Sequence, residues 1–180
     1  MYFTKNDYQK IYELLNPSPL VDKDCGTLCE NACCKSRGKD FGIYLLPGEE
    51  LMFCEEDKDW LTWEEHNPLN YDFPPSWIQP VVYYANCIKP CPRNKRPIQC
   101  RTFPLAPHLI NEENELILIW ENLNTPYTCP LIAKKPSINP AYVQGLKKGW
   151  NILIKDPLIK DLVLYDSIQR KTKYVSYISS

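Results

Sequence analysis

Tyr8, Ile11, Tyr12 and Leu15 recur at the spacing of one helical face. Thr4 stands where an N-cap belongs, and Asp7 three residues later makes an approximate capping box. Asn16-Pro17 stops the run, so the pattern predicts an N-terminal helix. The apolar stretch Gly42-Ile-Tyr-Leu-Leu46 reads as a strand that ends at a Pro47-Gly48 turn. Leu105–Ile110 and Glu115–Trp120 flank the polar tetrad Asn111-Glu-Glu-Asn114, which predicts a hairpin. Asn139-Pro140 puts a good N-cap before a proline at the first helical position, and predicts a helix to about Lys155. Asp156-Pro157 repeats the device and starts a second helix through about Lys171.

Between the terminal helices the pattern changes. Thirteen of the seventeen prolines lie between Pro68 and Pro140. Proline fixes φ and lacks a backbone donor, so this third is expected to hold short strands and turns, without long helix or central sheet. No internal repeat or low-complexity tract interrupts the chain.

Charge and cysteine content then narrow the function. Lys+Arg 21 against Asp+Glu 22 leaves a net charge of -1, which argues against a general nucleic-acid or anionic-membrane binder. No apolar run reaches membrane-span or signal-peptide length, so a cytoplasmic location is expected, where thiols stay reduced. Against that background nine cysteines stand out, and an odd number cannot all pair as disulfides.

The cysteines fall in two groups of four. Cys25, Cys29, Cys33 and Cys34 form the first; Cys87, Cys91, Cys100 and Cys129 form the second. Four thiolates match a tetrahedral zinc ion or an iron–sulfur cluster. The C-x3-C spacings differ from the C-x2-C of zinc ribbons and leave the metal open. Prolines after Cys91 and Cys129 tilt toward iron–sulfur. A helix over 25–34 would align Cys25, Cys29 and Cys33, with Cys34 pointing about 100° away from Cys33. The adjacent pair is therefore expected to serve two metals, or to include one packed thiol. Thiol–disulfide chemistry and buried thiols without a role are the alternatives to metal. Cys54, after Leu51-Met52-Phe53, reads as an ordinary core thiol.

Five basic residues and no acidic one lie between Cys87 and Arg101; they are expected to lower nearby thiol pKa values. Glu49 to Glu65 holds eight acidic residues against Lys58. Taken one by one, the charges of both stretches read as solvated faces. Arg101, directly after Cys100, is expected to donate to a metal-bound thiolate in preference to pairing with an acid. His66 and His108 lack the H-x-E and HExxH patterns of zinc enzymes, and read as surface or packed residues. No G-x-G, P-loop or G-x-S-x-G occurs. The five tryptophans read as core mass for a fold with few long elements.

The opening cysteines ending in Cys33-Cys34, the stretch Arg96-Pro-Ile-Gln-Cys100-Arg-Thr-Phe-Pro-Leu105 and the later Cys129-Pro130 resemble the YkgJ-type cysteine-cluster family. Leu45-Leu-Pro-Gly-Glu-Glu50 is similar to its members too. The likeness covers about Cys25 to Leu131. Family members place two residues before the double cysteine, where this chain has Glu30-Asn31-Ala32. The resemblance implies zinc or iron chelation by Cys25, Cys29, Cys33, Cys34, Cys87, Cys91, Cys100 and Cys129. The family includes flagellin lysine N-methylases, longer proteins associated with an iron–sulfur cluster, which permits an enzymatic reading.

The expected fold is therefore a small α+β protein with an irregular, Pro-rich, metal-bound centre, short strands, and helical N- and C-termini. Residues 1–180 form one domain, with a cysteine-cluster core over 25–131 and a C-terminal helical appendage over 139–171. Metal is expected to order residues 87–131, since coordination closes loops in a segment poor in backbone hydrogen bonds. The expected function is metal binding, with zinc or an iron–sulfur cluster at one or two sites. The alternatives are a cluster-dependent enzyme, such as a protein lysine N-methylase or redox protein, and, last, a metal-stabilised nucleic-acid module. The expected partners are the metal ion and, for an interaction protein, another protein, with no membrane.

Overall fold

The computed structural model describes residues 3–34, 42–78, 81–110, 115–121 and 127–171. Helix α1 (Lys5–Leu14) starts at the predicted capping box. The Thr4 hydroxyl accepts from the Asp7 N–H, and the Asp7 carboxylate accepts from the Thr4 N–H at 3.0 Å. Helix α4 (Pro140–Leu153) starts at Asn139, whose side chain accepts from the Ala141 N–H at 3.0 Å. Helix α5 (Pro157–Lys171) follows Asp156, which accepts from the Leu158 N–H at 2.8 Å. Two shorter helices, α2 (Ile98–Thr102) and α3 (Pro130–Lys134), escape the sequence pattern because five residues carry too little periodicity.

The larger core lies where α1 meets α4. Tyr8, Ile11 and Leu15 face Tyr142, Leu146 and Trp150, so the C-terminal helices fill this core rather than flank it. The hairpin of β4 (Leu105–Ile110) and β5 (Glu115–Trp120) closes it, with Leu105 opposite Trp120 and Ile110 opposite Glu115. The tetrad Asn111–Asn114 lies outside the described residues. Pro107 is tolerated in β4 because a two-stranded sheet has only edges. Across β4, α5 ties itself to the hairpin: the Ser167 hydroxyl accepts from the Leu109 N–H at 2.9 Å.

The close approach of α1 and α4 depends on Gly145. A Cβ there would sit 2.1 Å from the Leu14 carbonyl oxygen, a backbone atom that cannot swing aside. Gly145→Ala is expected to destabilise the fold by about 3 kcal/mol, the upper part of the overpacking range, read as a lower urea midpoint at unchanged m-value.

A second sheet, antiparallel and ordered β1-β3-β2, joins β1 (Gly42–Tyr44), β2 (Leu61–His66) and β3 (Val82–Cys87). Here the proline argument needs correction. β3 is a central strand inside the Pro-rich third, occupying the proline-free stretch between Pro80 and Pro90. β1 is also shorter than its apolar run, because Glu49 draws the Leu46 N–H out of strand geometry with a 2.9 Å hydrogen bond. This sheet packs a smaller core of Leu45, Phe53, Trp60, Leu61 and Ala85, to which Cys34, Cys87 and Cys91 belong.

The acidic stretch is not the uniformly solvated face expected. Glu49 is fully buried at 0% exposure. It accepts from the Tyr12 hydroxyl at 2.7 Å, the Ile98 N–H at 2.7 Å and the Leu46 N–H at 2.9 Å. Asp57, also buried, accepts from the Cys54 N–H and from Lys95 Nζ, both at 3.0 Å. The fold is thus mixed α+β, with five helices and two small antiparallel sheets among the described residues. No helix among them is long and apolar enough to cross a membrane.

Candidate metal centre

The first cysteine segment does not form one helix. Asp24 accepts from the Gly26 N–H at 2.8 Å and caps a single 3-10 turn, Cys25–Leu28. Glu30 and Asn31 then take left-handed conformations, with φ of 51° and 57°, before a second turn, Ala32–Cys34. The Asn31 side chain folds back so closely that a Cβ at position 26 would meet its Oδ1 at 1.9 Å, which explains Gly26. The Cys25-Cys29-Cys33 stripe is therefore broken. The Cys33 and Cys34 sulfurs, expected to diverge, stand 3.8 Å apart. Two thiolates on one tetrahedral ion with bonds near 2.3 Å are separated by about 3.8 Å, so this pair has the spacing of one edge of such a site.

The two sequence groups interleave in space. Cys87 ends β3, Cys91 follows the Pro90 turn, Cys100 sits on α2 and Cys129 precedes α3. Cys34 contacts Cys33 and feels Cys91 electrostatically, so the first segment approaches the second here. Cys25, Cys33, Cys34, Cys87, Cys91 and Cys100 line one cavity of about 300 Å³. Cys29 and Cys129 are not among its lining residues, and Cys129 packs instead against the larger core. Cys54 is exposed rather than a core thiol: it begins the turn Glu55–Asp59 and donates to the Asp57 carboxylate at 3.3 Å.

The basic run turns inward to fasten these segments. Arg96 Nε donates to Cys91 Sγ at 3.4 Å, while its Nη1 lies 3.4 Å from the Asp24 carboxylate. Arg93 bonds the same carboxylate and the Asn16 carbonyl. One aspartate next to Cys25 thus holds the loop that carries Cys91. Burial works against the charge of Asp24, but the Gly26 N–H, Arg96 and Arg93 hold its carboxyl below the usual range. That clamp contributes above the ordinary aspartate pKa of about 3.9, and is lost as pH falls through the depressed folded value.

Arg101 serves differently from its expected role. It donates to the Arg96 carbonyl at 2.6 Å and the Tyr12 carbonyl at 3.3 Å, and stacks 4.2 Å over the Tyr12 ring. Its Nη2 has no hydrogen-bond partner among the described residues, and burial lowers its pKa to about 10. The arginine that reaches a cysteine is Arg96. The Asp24 carboxylate immediately before Cys25 was the sequence signal for that clamp.

Five of the cavity thiols, Cys25, Cys34, Cys87, Cys91 and Cys100, are pushed above the ordinary thiol pKa. The contact with Cys33 pushes Cys34 up to about 11, and burial does the same for Cys25 and Cys87. The hydrogen bond with Cys34 raises Cys91, and burial raises Cys100 although part of its surface faces the cavity. Thiol–thiol interactions at Cys34 and Cys91, and burial at Cys25, Cys87 and Cys100, therefore outweigh the nearby arginines, contrary to the expectation of lowered values. All nine cysteines are free thiols. Among the described residues no three Cys, His, Asp or Glu side chains are grouped closely enough to hold a metal ion as they stand.

Neither histidine is among the cavity-lining residues. His66 is stacked between Tyr71 and Tyr84 and bonded to the Tyr44 hydroxyl at 3.0 Å, while His108 is buried in β4. Four of the five tryptophans are buried, as core mass requires, and Trp150 also lines the cavity. Compared with known proteins, the chain matches no protein-family model, no curated protein and no solved structure.

Proposed function

We propose that this protein binds a thiophilic metal, as zinc or an iron–sulfur cluster, through thiolates drawn from the six cysteines around the cavity. The observation that carries this reading is their convergence: six of nine cysteines, from separate chain segments, meet at one cavity. The spacing of Cys33 and Cys34 and the Arg96 hydrogen bond to Cys91 support it, since bound thiolates need such donors. The resemblance of the Arg96–Leu105 stretch and the double cysteine to YkgJ-type proteins points the same way. Closing a full ligand set requires side-chain rotation, for which single-turn helices offer little resistance. Two thiolates on one ion fit zinc or one iron of a [2Fe–2S] centre; a [4Fe–4S] cluster takes one cysteine per iron.

Anaerobic purification followed by metal and sulfide analysis and a visible spectrum tests the proposal. Iron with sulfide and a brown colour selects the cluster; colourless protein with zinc selects the ion. Protein that stays free of both when offered either refutes metal binding. Cys54, exposed and outside the cavity lining, serves as the control. Cys54→Ala is expected to keep full metal content, and metal loss in that variant would contradict the assignment.

A further inference from the structure

Neighbouring side chains in a 3-10 turn are set roughly 120° apart and ordinarily diverge. Cys33 and Cys34, in the turn Ala32–Cys34, do not: their sulfurs lie 3.8 Å apart, and both are free thiols. The two differ in access. Cys33 is half-buried, whereas Cys34 is 5% exposed and belongs to the smaller core. Both line the cavity. A reachable thiol with a second thiol directly behind it is the arrangement of a pair that cycles between dithiol and disulfide. Cys91 of the same core is carried by a separate segment, and its sulfur is engaged by Arg96 Nε at 3.4 Å. Cys33 is therefore the partner that Cys34 has at hand.

We propose that Cys33 and Cys34 form a reversible redox pair, which a small disulfide such as oxidised glutathione closes into a bond between neighbours, switching off the metal site. Cys33 loses its proton to water and attacks one sulfur of the small disulfide. A new S–S bond forms as the old one breaks, and one thiolate leaves. Cys34 then gives up its proton and attacks the Cys33 sulfur, expelling the second thiolate. Two protein thiols are oxidised and one small disulfide is reduced to two thiols, whose sulfurs take up the released protons. Closing the bond brings the sulfurs from 3.8 Å to the roughly 2.0 Å of a disulfide. No loop has to be closed, because the partners are neighbours in the chain. The peptide between them is trans, which puts their Cα atoms about 3.8 Å apart, closer than the about 4.4–6.8 Å that disulfides prefer. The bond is therefore strained and readily reduced, as labile, regulatory disulfides are. The switch rests on the metal reading, since the disulfide withdraws two of the six cavity thiols; the redox step itself needs no metal.

The test treats the reduced, metal-free protein with excess oxidised glutathione under anaerobic conditions, then quenches with acid, labels free thiols with N-ethylmaleimide and digests with trypsin. Tandem mass spectrometry reads the peptide 24–35, which holds Cys25, Cys29, Cys33 and Cys34. It is expected to be two hydrogens lighter, with label on Cys25 and Cys29 and none on Cys33 or Cys34, and to regain both labels after treatment with reduced glutathione. Cys34→Ser is expected to stop at the mixed disulfide, with one glutathione on Cys33, and Cys33→Ser to take up none on Cys34. Full labelling of both thiols, a crosslink from Cys34 to Cys91, or a lasting glutathione adduct on wild-type Cys33 overturns the proposal. Glutathione on Cys34 of the Cys33→Ser protein overturns Cys33 as the entry thiol. Zinc is then offered to both forms. The oxidised form is expected to bind more than about 100-fold more weakly, beyond the loss of an outer partner, and to recover on reduction. Equal zinc affinity overturns the switch. Protein that takes up no zinc in either form refutes the metal reading and the switch with it, whereas the redox pair is judged on the peptide alone, so the two failures are distinguishable.

Discussion

Cys34→Ser is expected to lower metal affinity by more than about 100-fold, beyond the 10–100-fold typical of losing an outer-sphere partner. Cys34 stands 3.8 Å from Cys33 and lines the same cavity as Cys87, Cys91 and Cys100, so it faces the second cysteine group from the first. Arg96→Gln, which removes a donor to Cys91 and a partner of Asp24, belongs in the 10–100-fold class. Competition with a chromogenic chelator measures both, and a Cys34→Ser protein with unchanged affinity removes Cys34 from the ligand set. The pH dependence has a definite sign. Cys25, Cys34 and Cys87 are held at about 11, so each binds metal near neutrality only by releasing a proton. Apparent affinity should therefore rise about tenfold per pH unit for each such ligand, and pH-independent affinity would mean that the ligands are already thiolates. Hydrogen exchange should localise the effect of metal removal. Protection is expected to fall over 25–34 and 87–100, while β4, β5, α4 and α5 keep theirs. The wider segment 87–131 is therefore not expected to respond as one unit, because Leu105, Leu109, Leu118 and Trp120 of its hairpin belong to the larger core.

Glu49→Leu is expected to cost about 3–5 kcal/mol, a large part of a typical domain stability of about 5–15 kcal/mol. The substitution keeps a side chain of similar bulk but removes every acceptor. The Leu46 and Ile98 N–H groups and the Tyr12 hydroxyl are then left in a fully buried place. Tyr12→Phe, which takes away one neutral-donor bond and leaves the two backbone ones, should cost only about 1 kcal/mol. Urea denaturation followed by far-ultraviolet circular dichroism compares the two. Near-wild-type stability of Glu49→Leu would show that the buried acceptor is dispensable. The same variant should reduce metal binding, because Ile98 opens the helix that carries Cys100.

What the sequence determined by itself are the features whose causes lie within a few residues. Thr4 with Asp7, Asn139 with Pro140 and Asp156 with Pro157 start helices through bonds to backbone groups two or three residues away. The hairpin strands were legible because their bounds and facing residues follow from two apolar runs around one polar tetrad. Tertiary structure decided the rest, since it turned on partners far along the chain. β3 is central because β1 and β2 arrive from either side, which no local proline count reveals. Glu49 is buried because two distant donors, the Tyr12 hydroxyl and the Ile98 N–H, join the nearby Leu46 N–H on its carboxylate, whereas Glu55 and Glu56 of the same acidic stretch are exposed. Cys54 is exposed because its backbone caps a turn, while hydrophobic neighbours alone suggested a core. The cysteine arrangement divides along the same line. Spacing identified which thiols could matter, but left-handed Glu30 and Asn31 and the Asp24 clamp to Arg93 and Arg96 decided which ones meet. The clamp joins residues about seventy positions apart, and although Asp24 beside Cys25 marks one end of it, nothing local in the chain says that Arg93 and Arg96 are its partners.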